Sequence, residues 1–458
     1  MQKEVQNLKI AYIGGGSRGW AWNLMSDLAI EPDLCGDVYL YDIDLEAAQY
    51  NETIGNHIKD SYPSASDWKY HAVPTLKEAL AEADFVIISI LPGTFDEMES
   101  DVHAPEAYGL YQSVGDTIGP GGVIRALRTI PMYEVIASAI RDFCPDAWVI
   151  NYTNPMAVCC RTLYRVFPKI KAFGCCHEVF GTQKLLASAV KEIRGQDEVE
   201  RSDIKINVLG VNHFTWITKA YYKEIDLFPL YRQYVEKYGR QGIGNIDENN
   251  FNKHFKTRNF VKFDLFRRYG LIAAAGDRHL AEFCPPNWYL KDPHCVESWG
   301  FKLTTVKWRR EQLAERLEKS RKMFTGELPF EIKPSGEEGV KQIKAILGMG
   351  DLTTNVNMPN YGQIPNLPLG AVVETNARFT AGQVTPVFAG EIPAEICPLV
   401  IPVAYEQEMT VEAGLTRNLS LAYKAFVSDA QMQISLAESR ALFDTMVANT
   451  KEYLTDYR

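Results

Sequence analysis

"LKIAYIGGGSRGW", residues 8–20, decides how the rest of the chain is read. A short apolar run gives way to a glycine-rich turn and then to residues able to start a helix. Strand, glycine turn and helix, in that order, open a dinucleotide-binding βαβ unit. Gly14, Gly16 and Gly19 fill the three positions of G-x-G-x-x-G. The first is expected to allow the tight turn, the second to let the backbone approach a pyrophosphate, and the third to let helix and strand pack closely. Free N–H groups at the helix N-terminus, with Ser17 inside the turn, would then hold the phosphates. The next apolar strand, "DVYLYDID" (37–44), carries Asp42, 28 positions beyond Gly14. An acid at that strand end takes ribose hydroxyls and repels a 2′-phosphate, so NAD is expected over NADP. The gap exceeds the usual ~20 residues, which predicts a longer first helix or loop. A glycine turn without a ligand is the other reading of the motif alone.

The same punctuation continues. "ADFVIISI" (83–90), "AWVINYTNP" (147–155) and "KAFGC" (171–175) read as strands, with helical stretches such as "RALRTIPMYEVIASAIRDF" (125–143) between them. Strands alternating with helices predict a parallel, doubly wound sheet whose ligands collect at the carboxyl ends of the strands. Asn154, Cys176 and His177 all fall at such ends. Beyond about residue 200 the pattern changes. Residues 203–222 read as extended, 245–350 as mostly helical and charged, 357–393 as a proline- and glycine-punctuated β region, and 399 onward as helical.

Composition bounds the function. The 458 residues suggest two domains or one elaborated α/β unit. A net charge of −10 with no basic run gives no footprint for nucleic acid. No stretch reaches the ~20 apolar residues of a membrane span. The start lacks a signal peptide's apolar core and cleavage site, and nine scattered cysteines suit reduced thiols, so a cytoplasmic location is expected.

Two polar clusters stand out. "KAFGCCHEVFGTQ" (171–183) joins Cys176 and His177 to a glutamate, and "GVNHFTW" (210–216) offers His213 as a distant partner for a thiolate. A lone cysteine is more often a small core residue. "AAAGDRHLAEFCPPNWY" (273–289) groups Asp277, Arg278, His279 and Glu282, which are alternatively a solvated helix start with Asp277 as its cap. "GDTIGPGGVIRALR" (115–128) adds Arg125 and Arg128, suited to clamp a carboxylate or phosphate.

Taken in order, "IAYIGGGS", "NYTNPMAV", "GCCHE", "GVNHFTW" and "GDRHLAEFCP" resemble family 4 of the glycoside hydrolases, the NAD- and metal-dependent glycosidases. "NLPLGAVVE" (366–374) is similar to that family's N-L-P-x-x-x-V-V-E. The similarity covers nearly the whole chain. "CHEVFGTQ" is similar to the uronidase branch, α-galacturonidases above all. Members acting on 6-phosphoglucosides carry Asp or Asn where His177 stands.

The resemblance implies a Rossmann-type NAD-binding domain over residues 1–200 and a mixed α/β substrate- and metal-binding domain over 201–458, a lactate/malate dehydrogenase-like architecture. It implies that Cys176 and His213 ligate a divalent metal, manganese, and that Asn154 contacts the sugar. His177 becomes the leaving-group acid or a sugar contact, and His279 a further substrate contact. The base is Asp277, with Tyr269 the counterpart of the tyrosine base of other members. Arg125, Arg128 or Arg278 would bind a uronate carboxylate, because a planar guanidinium matches it bidentately. The implied reaction oxidises carbon 3 with NAD, removes the proton on carbon 2, eliminates the group on carbon 1, adds water and returns the hydride, with no net redox. A homo-oligomer, dimer or tetramer, is expected. Alternatives are an α-galactosidase, α-glucosidase or α-glucuronidase of the same family, a 2-hydroxy-acid dehydrogenase, or a non-catalytic NAD-sensing regulator.

Overall fold

In the computed structural model, which describes residues 5–244 and 257–458, the opening strand β1 (Val5–Ile13) runs into the glycine turn, and the helix Trp20–Ala29 follows. This helix is only 10 residues long. The long spacing to Asp42 is taken up by the glycine turn and by the 8 residues of β2 (Leu34–Tyr41), so of the expected longer first helix or loop, the helix is not what fills it. β3 (Trp68–Val73), β4 (Phe85–Ile88), β5 (Trp148–Asn151) and β6 (Lys171–Gly174) complete a parallel set in the order β3-β2-β1-β4-β5-β6. Helices cover both faces, which is why every residue of β4 is buried. The strand order reverses between β1 and β4, and that crevice is where such sheets bind ligands.

The extended segment after residue 203 is a hairpin of β7 (Ile204–Val211) and β8 (Phe214–Tyr222), joined by β9 (Ile225–Asp226) and β10 (Ile272–Ala273) in a second sheet. β11 (Leu352–Pro359), β12 (Val372–Thr380) and β13 (Gln383–Pro386) add antiparallel to the β6 edge. Among the described residues the principal sheet therefore has 9 strands and draws them from both sides of residue 200.

The region expected to be helical contains Phe260–Tyr269, Asp277–Glu282, Val306–Phe324 and Gly339–Ile346; its first part, 245–256, lies outside the described residues. Three helices, Cys397–Thr416, Leu419–Ser428 and Leu436–Asn449, close the chain. Among the described residues no helix is long and apolar enough to cross a membrane. An aromatic contact ties the second sheet to the helix Asp277–Glu282. Phe214 stacks on Phe283 with ring centroids 4.8 Å apart, worth about 0.5–1.5 kcal/mol beyond the burial itself. It draws the start of β8 against that helix.

Candidate active site

The glycine turn fits a dinucleotide. Gly14 has φ +91°, and a Cβ there would lie 2.0 Å from the Ser89 carbonyl oxygen at the end of β4, so only glycine is tolerated. The close packing expected of Gly19 falls to its neighbours: a Cβ on Gly15 would strike Leu40 of β2 at 2.7 Å, and one on Gly16 would meet Ala47 at 2.6 Å. Gly19 instead precedes the helix Trp20–Ala29, whose N-terminus no side chain caps. Uncapped N–H groups at a helix start are the phosphate site of this fold. Arg18 stands beside them with a buried Nε that lacks a partner among the described residues. The Ser17 N–H donates to the Gly14 carbonyl at 3.0 Å, which closes the turn. Asp42 directly follows β2 and accepts from the Gly16 and Asp44 N–H groups at 2.9 and 3.0 Å, which locks the acid beside the turn.

At the carboxyl end of β6, the chain leaves the sheet through Cys175 and Cys176 and enters the helix Glu178–Arg194. Facing it is the β7–β8 hairpin, whose two turn residues are Asn212 and His213. His213 has φ +65°, a left-handed conformation uncommon outside glycine and of a kind that gathers at functional sites. The hydrogen bonds fix its tautomer. The Thr117 hydroxyl donates to Asp116 Oδ1 at 2.7 Å, so at 3.0 Å it accepts from His213 Nδ1–H. Nε2 then keeps its lone pair. Burial, and then the adjacent His279, hold the His213 pKa down to about 3, so the ring is neutral. The two imidazoles stack with centroids 3.8 Å apart. Burial, followed by the Glu374 and Glu178 carboxylates, pushes the Cys176 thiol well up, and Asn212 hydrogen-bonds it. Such a thiol ionises only against a bound cation.

A neutral imidazole oriented by a carboxylate-backed hydroxyl, with a thiol beside it, suits a divalent metal. Among the described residues no group of three or more His, Cys, Asp and Glu side chains is arranged to hold one.

Two acids stand in the field of this pair, Glu178 of the "CHE" stretch and Asp116, which the sequence did not single out. Burial would raise Asp116, but Arg125 above all, with the histidines and Arg309, holds it at about 2. Because His213 is neutral, the two arginines are the charges that matter. Glu178, also desolvated, is held at about 2 by His279, His177 and His213 and accepts from the Gly276 N–H at 2.8 Å. Of those three rings His177 is the charged one: partial loss of hydration disfavours its charge, but the ring is still half exposed, and Glu337, 2.9 Å from Nδ1, outweighs this and raises it to about 9. Asp116 sits in an ordinary glycine-rich loop, and no local sequence signal marks it.

The arginines separate cleanly. Arg125 is buried; its Nε donates to the Asn154 carbonyl at 3.1 Å, and among the described residues its Nη1 has no partner. Asn154 Oδ1, equally buried, also lacks one among the described residues. Arg128 is not available to a substrate. Both of its terminal nitrogens bond Asp101, its Nε donates to the Pro92 carbonyl at 3.0 Å, and both partners' side chains are 0% exposed. This corrects the expectation that Arg128 reads a carboxylate: its charge is spent on the fold. Replacing Asp101 by Asn is expected to cost about 3–5 kcal/mol of stability, because it strands a buried guanidinium. Urea unfolding at neutral pH measures this, and a loss under about 1 kcal/mol contradicts it. Arg278 is buried with Nη1 reaching Thr304 at 3.3 Å, in the field of Glu178.

Asp277 is 0% exposed at the start of its helix. It accepts from the Thr257 hydroxyl at 2.6 Å and the Lys262 N–H at 3.0 Å. Burial raises its pKa; the Thr257 hydroxyl, Lys262 and the Val261 N–H oppose the rise, and Arg278 interacts with the same carboxylate. Tyr269 packs edge-on against Trp216 at 6.0 Å in the aromatic core, in the field of Cys284, Arg268 and Asp264.

The chain is similar to known proteins. Residues 9–192 match the family model described as family 4 glycosyl hydrolase, and 208–432 match that family's C-terminal domain. The chain belongs to glycosyl hydrolase family 4. It is a glycosidase by descent. It is 60% identical over 456 residues to an α-galacturonidase of Thermoanaerobacterium saccharolyticum, covering 99% of this chain and 98% of that one. The crystal structure of the lplD protein from Bacillus subtilis superposes with a TM-score of 0.91 at 52% identity, over 96% of this chain and 100% of that one. A 6-phospho-α-glucosidase from gut microorganisms, solved with NAD and Mn²⁺, shares the family 4 fold at a TM-score of 0.81 and 19% identity, over 98% of this chain and 99% of that one.

Proposed function

We propose that this family 4 glycosidase hydrolyses α-galacturonides with NAD and a divalent metal, manganese, as catalytic cofactors. The observation that carries the reading is the full-length identity to an α-galacturonidase, joined to a buried Arg125 with an unpartnered nitrogen beside Asn154. Gly14, Gly16, Ser17, Gly19 and Asp42 hold the dinucleotide, and Cys176 with His213 hold the metal. Bound there, NAD supplies a reversible hydride acceptor for carbon 3 of the sugar, and the metal supplies Lewis acidity to the oxygens on carbons 2 and 3.

The chain's own residues do the rest. Arg125 and Asn154 orient the ring, the guanidinium taking the uronate carboxylate and the amide a hydroxyl. Arg278 and His279 close the pocket from the opposite segment. Asp277, desolvated and held by Thr257 and Lys262, takes the proton from carbon 2. His177, kept charged by Glu337, gives a proton to the departing group on carbon 1. The pyrophosphate turn and the base thus come from either side of residue 200, in keeping with a dinucleotide part over 1–200 and a substrate part over 201–458, although Cys176 and Asn154 reach the substrate from the first. All nine cysteines are free, which suits a reducing, cytoplasmic setting. Exposed Tyr405, Phe388 and Leu369 suit a homo-oligomer.

The test is a panel of p-nitrophenyl glycosides and uronides with NAD and manganese under reducing conditions. Hydrolysis is expected to require both additions and to accumulate no NADH. One charge-assisted hydrogen bond is worth roughly 1.5–3 kcal/mol, so kcat/KM for the α-galacturonide should exceed that for the α-galactoside by at least ~10- to 100-fold. Arg125→Met should erase most of that preference. Equal kcat/KM on the two wild-type substrates removes the uronidase reading and leaves an α-galactosidase of the same family.

A further inference from the structure

Behind the two metal-binding residues lies a buried carboxylate with no place in the reaction. Glu374, on β12, is 1% exposed. Its Oε2 accepts from Asn212 Nδ2 at 3.0 Å, and its Oε1 from Asn355 Nδ2 at 2.7 Å. Asn355, on β11, has a second bond: the same Nδ2 donates to the Cys176 carbonyl at 3.2 Å. Each arm of the network therefore ends at or beside a proposed ligand. One arm holds the hairpin turn at the residue next to His213, and the other holds the peptide of Cys176 itself. The strands agree, since β11 pairs with β6 through Asn357 and Gly174, two residues before Cys176.

We propose that Glu374 is a positioning residue that sets the separation of Cys176 and His213, and so tunes the affinity of the metal site. This role rests on the proposed metal site. A carboxylate takes a hydrogen bond on each oxygen, so it can clamp two amide donors at once. A buried carboxylate is costly, and a fold that needed only packing here would fill the space with an apolar side chain. Hydrogen-bonded partners one step behind a metal ligand fix its orientation, and their loss costs affinity without removing the ligand. Glu374→Gln keeps the shape but presents a donor to one of the two asparagines. Asn355 can turn over to meet that donor only by giving up the Cys176 carbonyl.

The experiment titrates Mn²⁺ alone into the NAD-bound full chain by calorimetry, for wild type, Cys176→Ser, Glu374→Gln and Asn355→Ala. NAD affinity and near-UV circular dichroism are measured on each. Glu374→Gln is expected to bind Mn²⁺ ~10- to 100-fold more weakly, with NAD affinity and the spectrum unchanged, and Asn355→Ala to weaken it in the same direction by less. If Cys176→Ser binds Mn²⁺ like wild type, the metal reading fails, and this inference with it. If Cys176→Ser loses the metal while Glu374→Gln binds it as tightly as wild type, the metal reading stands and the positioning role is overturned. Should Glu374→Gln fail to fold, Asn355→Ala decides, and an unchanged Mn²⁺ affinity there overturns the proposal.

Discussion

Cys176→Ser is expected to reduce hydrolysis by ~10³-fold or more while NAD binding survives. A Lewis acid at the reacting oxygens contributes several kcal/mol to the barrier, and each 1.36 kcal/mol is tenfold in rate. The substitution removes the one anionic donor proposed for the metal. A serine hydroxyl has a far higher pKa than a thiol, so it stays neutral and binds a cation weakly. NAD should be spared, because its phosphates belong to the turn after β1, whereas Cys176 follows β6. Turnover, NAD fluorescence titration and metal content of the purified variant measure the three quantities. Unchanged turnover removes Cys176 from the ligand set. The donor pair alone would favour zinc or copper over manganese, so selection must come from the substrate oxygens and water that complete the sphere.

Asp277→Asn is expected to lower kcat by ~10²- to 10⁴-fold, the usual contribution of a positioned general base, with NAD and metal still bound. The carboxylate is fully buried, and burial raises its pKa toward the working range, which strengthens it as a base. The amide keeps the shape and an acceptor for one partner but cannot take the proton. The isotope result is independent of the rate. Product made by the wild type in heavy water should carry deuterium at carbon 2, because the abstracted proton exchanges before it returns. Absence of deuterium there sinks the elimination route altogether. Deuterium that persists at full rate in Asp277→Asn and stops in Tyr269→Phe keeps the route and moves the base to tyrosine. Tyr269 packs on Trp216 in the aromatic core, so Tyr269→Phe is expected to turn over near the wild-type rate.

Much of this was legible along the chain because it is local. The strand, glycine turn and helix of residues 8–29 are written in neighbouring residues, and so are the apolar runs of β4, β5 and β6. A parallel sheet buried on both faces leaves that signature in any single strand. Ordered short motifs also sufficed for the family, since each keeps its chemistry within a few positions. Spacing did not say which element absorbs the gap to Asp42, because a loop and a strand lengthen a sequence as readily as a helix does.

What the tertiary structure decided is everything that depends on a partner far away in the chain. Arg125 and Arg128 sit one helical turn apart and look equivalent in sequence. Only the fold brings Asp101 against Arg128, leaving Arg125 beside Asn154 with a nitrogen unpaired. Asp116 gains its meaning from Thr117 and His213, 96 positions on from that threonine. Glu374 gains its own from Asn212, 162 positions back. The sequence by itself determined the dinucleotide half, the family and the residues able to bind a metal. Which charges are spent on the fold, and which remain for a substrate, was decided by packing. A buried ion is neutralised by whatever lies within hydrogen-bonding distance, and that distance is a property of three dimensions.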